Sequence, residues 1–217
     1  GMGSMSDTYN PLEEKLQLTR KALLLFERYG FGCSLETKSH LVLRDLDILQ
    51  RLSKHQSVIV KMTITCADDE LSSCLEPNVC PSSQRFQALQ ALNEAGIYAG
   101  ILLMPLLPFV NDTAANVLRI VELAKQHKIP FICAYFGVTL REQQRDYYLS
   151  KVNDLFPNTA KKMIHTYGMD YQCMARNERH LKAIFQRACE EAGILYKMSD
   201  IINAYQRKTV EQLHFNL

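Results

Sequence analysis

Residues 57–65 read SVIVKMTIT, a run rich in β-branched residues that predicts a strand. Near-continuous apolar runs of this length are typical of parallel strands that are buried on both faces. A helical pattern follows in PSSQRFQALQALNEAG (81–96), and a second apolar run follows in IYAGILLMPL (97–106). Strand, helix and strand in this order predict a βαβ unit, because a crossover helix is what joins neighbouring parallel strands.

The same alternation extends in both directions. FGCSLETK (31–38) and PFICAYFG (130–137) read as strands, and helices are predicted at 43–53, from Asp112 to about His127, and at 141–155. The fold class predicted is therefore α/β, with a parallel sheet that is either open and doubly wound or a full or partial (β/α) barrel. No G-x-G-x-x-G follows any strand, which counts against a dinucleotide-binding fold.

The N-terminal part predicts one long helix. Asn10 is expected to be its N-cap, Pro11 its first residue and Gly30 its C-terminal stop. A 3.6-residue period predicts that one stripe faces the core, namely Leu12, Leu16, Thr19, Leu23 and Phe26. Because this pattern opens with a helix, the first strand is expected to lack its N-terminal neighbour.

The domain organisation follows from where the alternation stops. Residues 1–4 resemble a cloning remnant, with 3–4 ambiguous, and 5–156 are expected to form the partial barrel. Helices at 157–167 and 177–193 predict a C-terminal helical extension over 157–217 that packs on the barrel.

Composition narrows the class of protein. The 217 residues carry a net charge of +2, which provides no nucleic-acid footprint. No apolar run is long enough for a membrane helix, and no signal-peptide pattern is present. Seven scattered cysteines, an odd number, favour a reducing, cytoplasmic location without disulfides.

Candidate functional residues lie where the predicted strands end, since function gathers at the carboxyl ends of parallel strands. Lys38 suggests a carboxylate or phosphate partner, unless its side chain simply reaches solvent. Thr63 and Thr65 share a strand face and either bond a polar ligand or serve only as strand formers. Arg85 is expected to pair with Glu76, to contact a ligand or to be exposed.

The next strand end contributes Pro105 and Pro108, which shape a loop, and Asn111-Asp112, which is first of all a turn and helix cap. Three cysteines, Cys66, Cys74 and Cys80, stand close together, with acidic residues between them. Structural zinc and iron–sulfur sites use tighter spacings than these gaps. The sequence therefore predicts no metal site.

The chain resembles the radical S-adenosylmethionine superfamily, in particular its spore-photoproduct-lyase-like branch. The segments that carry the resemblance are GSMSDTYNPLEEKLQLTR (3–20), ETKSHLVLRDLDIL (36–49), MTITCADDELSSCLEPNVCPSSQRFQAL (62–89), AGIYAGILLMPLLPFVND (95–112) and EQLHFNL (211–217). The resemblance implies a partial (β/α)₆ barrel, a [4Fe–4S] cluster and S-adenosylmethionine cleaved to a 5′-deoxyadenosyl radical.

The resemblance also assigns roles to individual residues. Ser6 and Asp7 would lie on the loop at the methionyl amino end of the cofactor, and Lys38 would meet its carboxylate. Thr63 and Thr65 would line the ribose or methionyl region, and Pro105 the adenine side. Five further residues are possible ligand or substrate contacts, namely Glu76, Arg85, Asn111, Tyr98 and Tyr135. The two tyrosines are alternatively redox-active or simply packed.

The family's C-x-x-x-C-x-x-C cluster motif does not occur in these 217 residues. The expectation is therefore the C-terminal two-thirds of a radical enzyme, inactive and binding neither cluster nor cofactor by itself. Ser4-Met5 stand where spore photoproduct lyase has a hydrogen-donating Cys, which argues against thymine-dimer repair. Nucleic acid remains a partner by resemblance only.

Two other classes stay open. One is a cluster-free, ligand-binding α/β domain that forms a homodimer through an exposed sheet edge. The other is a barrel hydrolase or aldolase, for which the available acid, base and amine groups are Lys38, Asp68, Asp69, Glu76 and Asp112.

Overall fold

The computed structural model describes residues 1–3 and 6–206 and confirms the predicted α/β class. Four strands form one parallel sheet in the order β1-β2-β3-β4. The strands are β1 (Cys33–Thr37), β2 (Val58–Thr63), β3 (Tyr98–Leu103) and β4 (Ile132–Ala134). In register, Leu35 lies beside Val60, and Val60 lies beside Ala99.

The helices connect and flank this sheet. They are α1 (Glu13–Leu16), α2 (Leu18–Tyr29), α3 (Leu46–His55), α4 (Asp69–Leu75), α5 (Ser82–Glu94), α6 (Ala114–Gln126), α7 (Glu142–Leu155), α8 (Thr159–Tyr167), α9 (Glu178–Ala192) and α10 (Met198–Tyr205). A 3₁₀ turn over His40–Asp45 precedes α3. No helix of the described ranges combines the length and apolar character needed to cross a bilayer.

Both faces of the sheet are covered, which explains why its strands read as continuous apolar runs. Val60 and Met62 point to the large core beneath α5, α6 and α9 and are fully buried. Ile59 and Phe131 lie on the opposite face, in a smaller cluster with Ile201 of α10. The two faces alternate along each strand because successive side chains point in opposite directions.

The predicted long first helix is in fact two helices. Gln17 has a left-handed backbone conformation, with φ of 53°, which separates α1 from α2. The buried carboxylate of Glu13 accepts hydrogen bonds from the backbone N–H groups of Leu18 and Thr19, both at 2.9 Å, and so caps α2. The break changes the phase of the apolar stripe, and Leu12 and Leu16, both predicted to face the core, are exposed.

The helix after β3 begins one residue later than predicted. Thr113, and not Asp112, is the N-cap of α6, and its hydroxyl accepts from the backbone N–H of Asn116. Asp112 is engaged elsewhere, because its carboxylate accepts from the backbone N–H groups of Phe109 and Arg176. The Asp112 carboxylate thus joins the loop after β3 to the segment before α9.

The last predicted strand is interrupted. β4 ends at Ala134, and Gly137–Thr139 forms a separate strand, β5, that pairs antiparallel with β6 (Gln172–Met174). Within the predicted helical extension, α8 and α9 lie in the two segments predicted to be helical, whereas the strand β6 and the helix α10 were not individually predicted. After α8 the chain therefore returns to pair with β5, the segment that follows β4.

The N-terminal residues take part in the fold. Met2 pairs parallel with β1, donating to the carbonyl of Ser34 at 2.8 Å and accepting from the N–H of Glu36 at 2.9 Å. Two hydrogen-bonding groups at this edge of the sheet are therefore already used, and dimerisation through the edge stays a prediction. Ser4, Met5 and the EQLHFNL segment (211–217) lie outside the described residues.

Candidate functional site

The carboxyl ends of β1, β2 and β3 open onto a cavity of about 400 Å³. Lys38 follows β1, Thr65 follows β2 and Pro105 follows β3, so the parallel topology brings all three to one edge of the sheet. The α4 end and α7 form the remaining walls, with Cys74, Leu75, Glu76, Pro77, Leu107, Val138, Tyr147, Tyr148, Lys151, Val152 and Leu155. The cavity is large enough for a nucleoside-sized ligand.

Glu76 joins two cations at this cavity. Its Oε1 lies 2.6 Å from Lys38 Nζ, and its Oε2 lies 2.6 Å from Arg85 Nη1. The Lys38 side chain is therefore ion-paired rather than simply directed to solvent. The pairing of Arg85 with Glu76, one of the predicted alternatives, is present, and the exposed alternative is wrong because the Arg85 side chain is only 1% exposed.

Arg85 joins the end of β2 to the loop between α4 and α5. Besides binding Glu76, its Nη1 donates to the carbonyl of Thr63 at 2.8 Å and its Nε donates to the carbonyl of Cys80 at 2.8 Å. Its Nη2 is buried and has no hydrogen-bond partner among the described residues. A buried guanidinium of this kind fixes the end of β2 relative to the 76–80 loop, since breaking its contacts would leave charge in the interior.

The loop before α1 is fastened to the end of β1 by Asp7. The Asp7 carboxylate accepts from Thr37 Oγ1 at 2.6 Å, from the backbone N–H of Lys38 at 2.7 Å and from that of Tyr9 at 2.9 Å. Both carboxylate oxygens are thus occupied by the protein itself. Ser6 is exposed beside them, so in this loop Asp7 positions the backbone and Ser6 remains accessible.

A buried ionic network supports this loop from behind. Asp45 is fully buried and accepts from the Tyr9 hydroxyl at 3.1 Å, from Arg20 at 3.0 Å and from Arg44 at 2.8 Å. Burial, followed by the neighbouring Asp45 charge, raises the pKa of Tyr9 above its ordinary value. Arg44 also reaches the Glu13 carboxylate, which links the network to the cap of α2.

Two asparagines hold the end of β2. Asn111 Nδ2 and Asn116 Nδ2 donate to the carbonyl of Thr65, at 3.1 Å and 2.8 Å, while Asn111 Oδ1 accepts from the N–H of Leu107 at 2.6 Å. Asn111 thus braces the site rather than lining its cavity. Of the two threonines, Thr65 lines the cavity, whereas Thr63 contributes its carbonyl to Arg85. Asn116 was missed, because its position within a helical pattern gave no signal.

The two predicted tyrosines lie away from the cavity. Tyr98 is at the amino end of β3, where its ring stacks 4.9 Å from that of Phe131. Burial raises the pKa of Tyr98 to about 12. Tyr135 follows β4, and its hydroxyl contacts the sulfur of Met174 at 3.5 Å. The packing alternative describes both residues in this structure.

The acid and amine groups of the hydrolase or aldolase hypothesis do not converge. Asp68 caps α4 through the N–H of Leu71, and Asp69 binds Ser83. Asp112 is held by Phe109 and Arg176, as described above. Only Lys38 and Glu76 of the five line the cavity, and they neutralise each other.

The three neighbouring cysteines occupy different environments. Cys66 is buried beside Asn111, Cys74 is exposed and lines the cavity, and the Cys80 thiol donates to the carbonyl of Lys38 at 3.0 Å. Over residues 1–3 and 6–206, no three His, Cys, Asp or Glu side chains are grouped so that they could hold a metal ion. The described cysteines therefore do not fit an iron–sulfur cluster.

Thiol reactivity provides a first test of this arrangement. Burial raises the pKa of Cys33 to about 11 and of Cys189 to about 12, and raises the pKa of Cys66, Cys133 and Cys173 as well. Since the thiolate is the reactive form, we expect iodoacetamide at about pH 8 to alkylate Cys74 first. Peptide mass spectrometry over time checks this order, and faster labelling of Cys33 or Cys189 would contradict it.

Comparison with known proteins places the fold but not a family. No family model matches the chain. An uncharacterized protein of Methanocaldococcus jannaschii is 35% identical over 111 residues, which are 51% of this chain and 41% of that protein. One of the Acidianus two-tailed virus is 30% identical over 48% of this chain and 34% of that protein. The chain thus spans less than half the length of these curated relatives.

Solved structures of spore photoproduct lyase share the architecture. A mutant of that enzyme with bound AdoMet and dinucleoside spore photoproduct superposes with a TM-score of 0.61 at 13% identity, over 86% of this chain and 57% of that one. A complex with the dinucleoside spore photoproduct gives a TM-score of 0.60 at 14% identity. The likeness shows a related α/β fold, in agreement with the resemblance of the sequence segments.

Proposed function

We propose that this chain forms the S-adenosylmethionine-binding side of a radical enzyme built on a partial (β/α) barrel. One observation carries the proposal: Lys38, Thr65 and Pro105 line one cavity at the carboxyl ends of parallel strands. A neighbour with the same architecture holds AdoMet. The chain spans 57% of that neighbour. Because the C-x-x-x-C-x-x-C motif does not occur in these 217 residues, we infer that the chain corresponds to the later part of such an enzyme.

The residues that surround the cavity suit the cofactor's chemical groups. The Lys38 ammonium is the partner for the methionyl carboxylate, and the buried Thr65 hydroxyl is a donor or acceptor for the ribose or methionyl region. Pro105 offers an apolar face to the adenine. Ser6 and Asp7 are not among the residues that line this cavity, so contact of their loop with the amino end is proposed from the resemblance alone. Thr63 would act through its backbone.

The described cysteines of this chain are not grouped so that they could hold an iron–sulfur cluster. When bound by an enzyme of this class, a cluster supplies the electron that cleaves S-adenosylmethionine. We therefore expect no radical chemistry from this chain by itself. From the sequence we expected this chain to bind no cofactor by itself. Because the cavity is assembled, we propose instead that the chain binds the cofactor weakly without a cluster.

The cellular location and the partners of this chain are proposed from its thiols, its net charge and the resemblance. The seven free thiols suit a reducing cytoplasm. Binding of nucleic acid rests on resemblance, and the net charge of +2 gives it no support.

Anaerobic treatment with iron and sulfide is expected to give no stoichiometric cluster, and a stable cluster would contradict the assignment.

The proposal is tested by replacing Lys38. We expect Lys38→Met to weaken binding of S-adenosylhomocysteine by about tenfold, because a charge-assisted contact to the ligand carboxylate is lost. Isothermal titration calorimetry with the full chain measures the affinity. Lys151→Met, which removes a lysine from the α7 wall of the same cavity, is the matched control and should change the affinity little. Equal losses in both variants would contradict the carboxylate assignment.

A cluster-free dimerising domain is the second candidate. The observation that favours it is an exposed apolar stripe along α2, formed by Leu18, Leu25 and Tyr29 and continued by Phe31, all more than half exposed. Such a stripe is typical of a surface that another element covers. A sedimentation coefficient that corresponds to a monomer at every protein concentration would argue against a homodimer.

A further inference from the structure

Two cations, Lys38 and Arg85, share one carboxylate at the cavity wall, and they differ in solvent exposure. Arg85 is 1% exposed, whereas the Lys38 side chain is 36% exposed. Both are 2.6 Å from an oxygen of Glu76. Lys38, Glu76 and Arg85 together therefore carry one surplus positive charge, directed toward the cavity that Lys38 and Glu76 line.

Glu76 is held by the fold and Lys38 is the movable partner. Arg85 cannot leave Glu76 without exposing a buried charge to an apolar interior, and it is also bound to the carbonyls of Thr63 and Cys80. Lys38 has a long side chain with many rotamers, and its backbone is anchored through the Asp7 carboxylate and the Cys80 thiol. The contact with Glu76 restricts the remaining freedom, which lies in the side chain.

We propose that Glu76, anchored by Arg85, is a positioning residue that holds the Lys38 ammonium at the cavity wall for the carboxylate of the ligand. The identity of that ligand rests on the function proposed above. Loss of the Glu76 charge would leave Lys38 next to buried Arg85 without the carboxylate between them. Repulsion then drives the ammonium toward solvent, and a ligand must bring it back.

Restriction of the Lys38 side chain by Glu76 is tested first without any ligand. Acetylation by a limiting amount of an N-hydroxysuccinimide ester, followed by peptide mass spectrometry, measures how accessible each lysine is. Glu76→Gln is expected to raise the rate at Lys38 several-fold, because the amide no longer holds the ammonium. Glu36→Gln is the matched control: it frees Lys61, paired at 2.6 Å on the sheet, and should leave the Lys38 rate unchanged.

An unchanged Lys38 rate in a folded Glu76→Gln protein would overturn the proposal. Circular dichroism establishes the folded state. If Glu76→Gln does not fold, Glu76→Asp keeps the negative charge for Arg85 but shortens the side chain by one methylene. The same increase at Lys38 is expected there, since an aspartate cannot reach both cations.

The effect of the Glu76–Lys38 contact on ligand affinity is tested with two ligands. S-adenosylhomocysteine carries the amino-acid group, and 5′-methylthioadenosine lacks it. Glu76→Gln is expected to weaken the first about tenfold, equal to about 1.4 kcal/mol, and to leave the second unchanged. In the Lys38→Met background Glu76→Gln should have no further effect, because residues that act through one another are not additive.

The outcomes separate the two proposals. Equal weakening of both ligands, or full additivity with Lys38→Met, would show that Glu76 acts as general structural support and would overturn its positioning role. If neither ligand binds the unaltered chain, the proposed function fails. The acetylation rates then still decide whether Glu76 holds Lys38.

Discussion

Arg85→Met is expected to lower the free energy of unfolding by about 3–5 kcal/mol, the usual result of breaking a buried ion pair. The substitution removes the bonds to Glu76 and to the carbonyls of Thr63 and Cys80 in one step. Methionine fills much of the space but offers no donor, so the two carbonyls lose their partner. Urea unfolding followed by circular dichroism measures the change.

Arg119→Met is the matched control for this substitution. Arg119 pairs with Glu122 on the surface of α6, where its side chain is 51% exposed. Exposed pairs of this kind contribute about 0–1 kcal/mol. If Arg85→Met cost no more than Arg119→Met, Arg85 would not be the residue that joins the end of β2 to the 76–80 loop.

Asp45→Asn is expected to lower the free energy of unfolding by a similar amount, about 3 kcal/mol or more. Asp45 is fully buried and accepts from Tyr9, Arg20 and Arg44, so the substitution leaves two guanidinium groups without their shared counter-charge. It also places an amide N–H₂ against donors. Thermal unfolding combined with urea titration measures the effect.

Asp47→Asn provides the comparison, because Asp47 also binds Arg20 but its side chain is 48% exposed. Its hydrogen bond to Arg20 holds the pKa of Asp47 well below its usual range. The contribution of this pair is therefore present above the ordinary aspartate pKa and is lost as the pH falls through the lowered one. We expect a small effect at neutral pH, and similar losses in both variants would contradict the special role of Asp45.

The parallel sheet could be predicted because its strands are marked by composition alone. SVIVKMTIT and IYAGILLMPL are apolar over their whole length, and the intervening helix has a clear period. The break at Gln17 could not be predicted, since it depends on the Glu13 carboxylate turning back to cap α2. β5 and β6 were also missed, because strands of three residues carry too little pattern.

The candidate site was predictable where it depends on strand ends and not where it depends on distant packing. Lys38, Thr65 and Pro105 come to the cavity because parallel strands end at one edge, and Glu76 comes to it from the end of α4. The α7 wall, with Tyr147 and Lys151, comes from a later part of the chain and carries no local signal. The burial of Arg85 likewise depends on how the end of β2 meets the 76–80 loop.

The most direct test of S-adenosylmethionine binding at the strand-end cavity uses Cys74 as a reporter. Cys74 is exposed and lines the same cavity as Lys38, Thr65 and Pro105. We expect increasing S-adenosylhomocysteine to slow alkylation of Cys74 in a saturable manner, and to do so only at higher concentration in Lys38→Met. A Cys74 alkylation rate that stays constant while calorimetry detects binding would place the ligand elsewhere and contradict its assignment to this cavity.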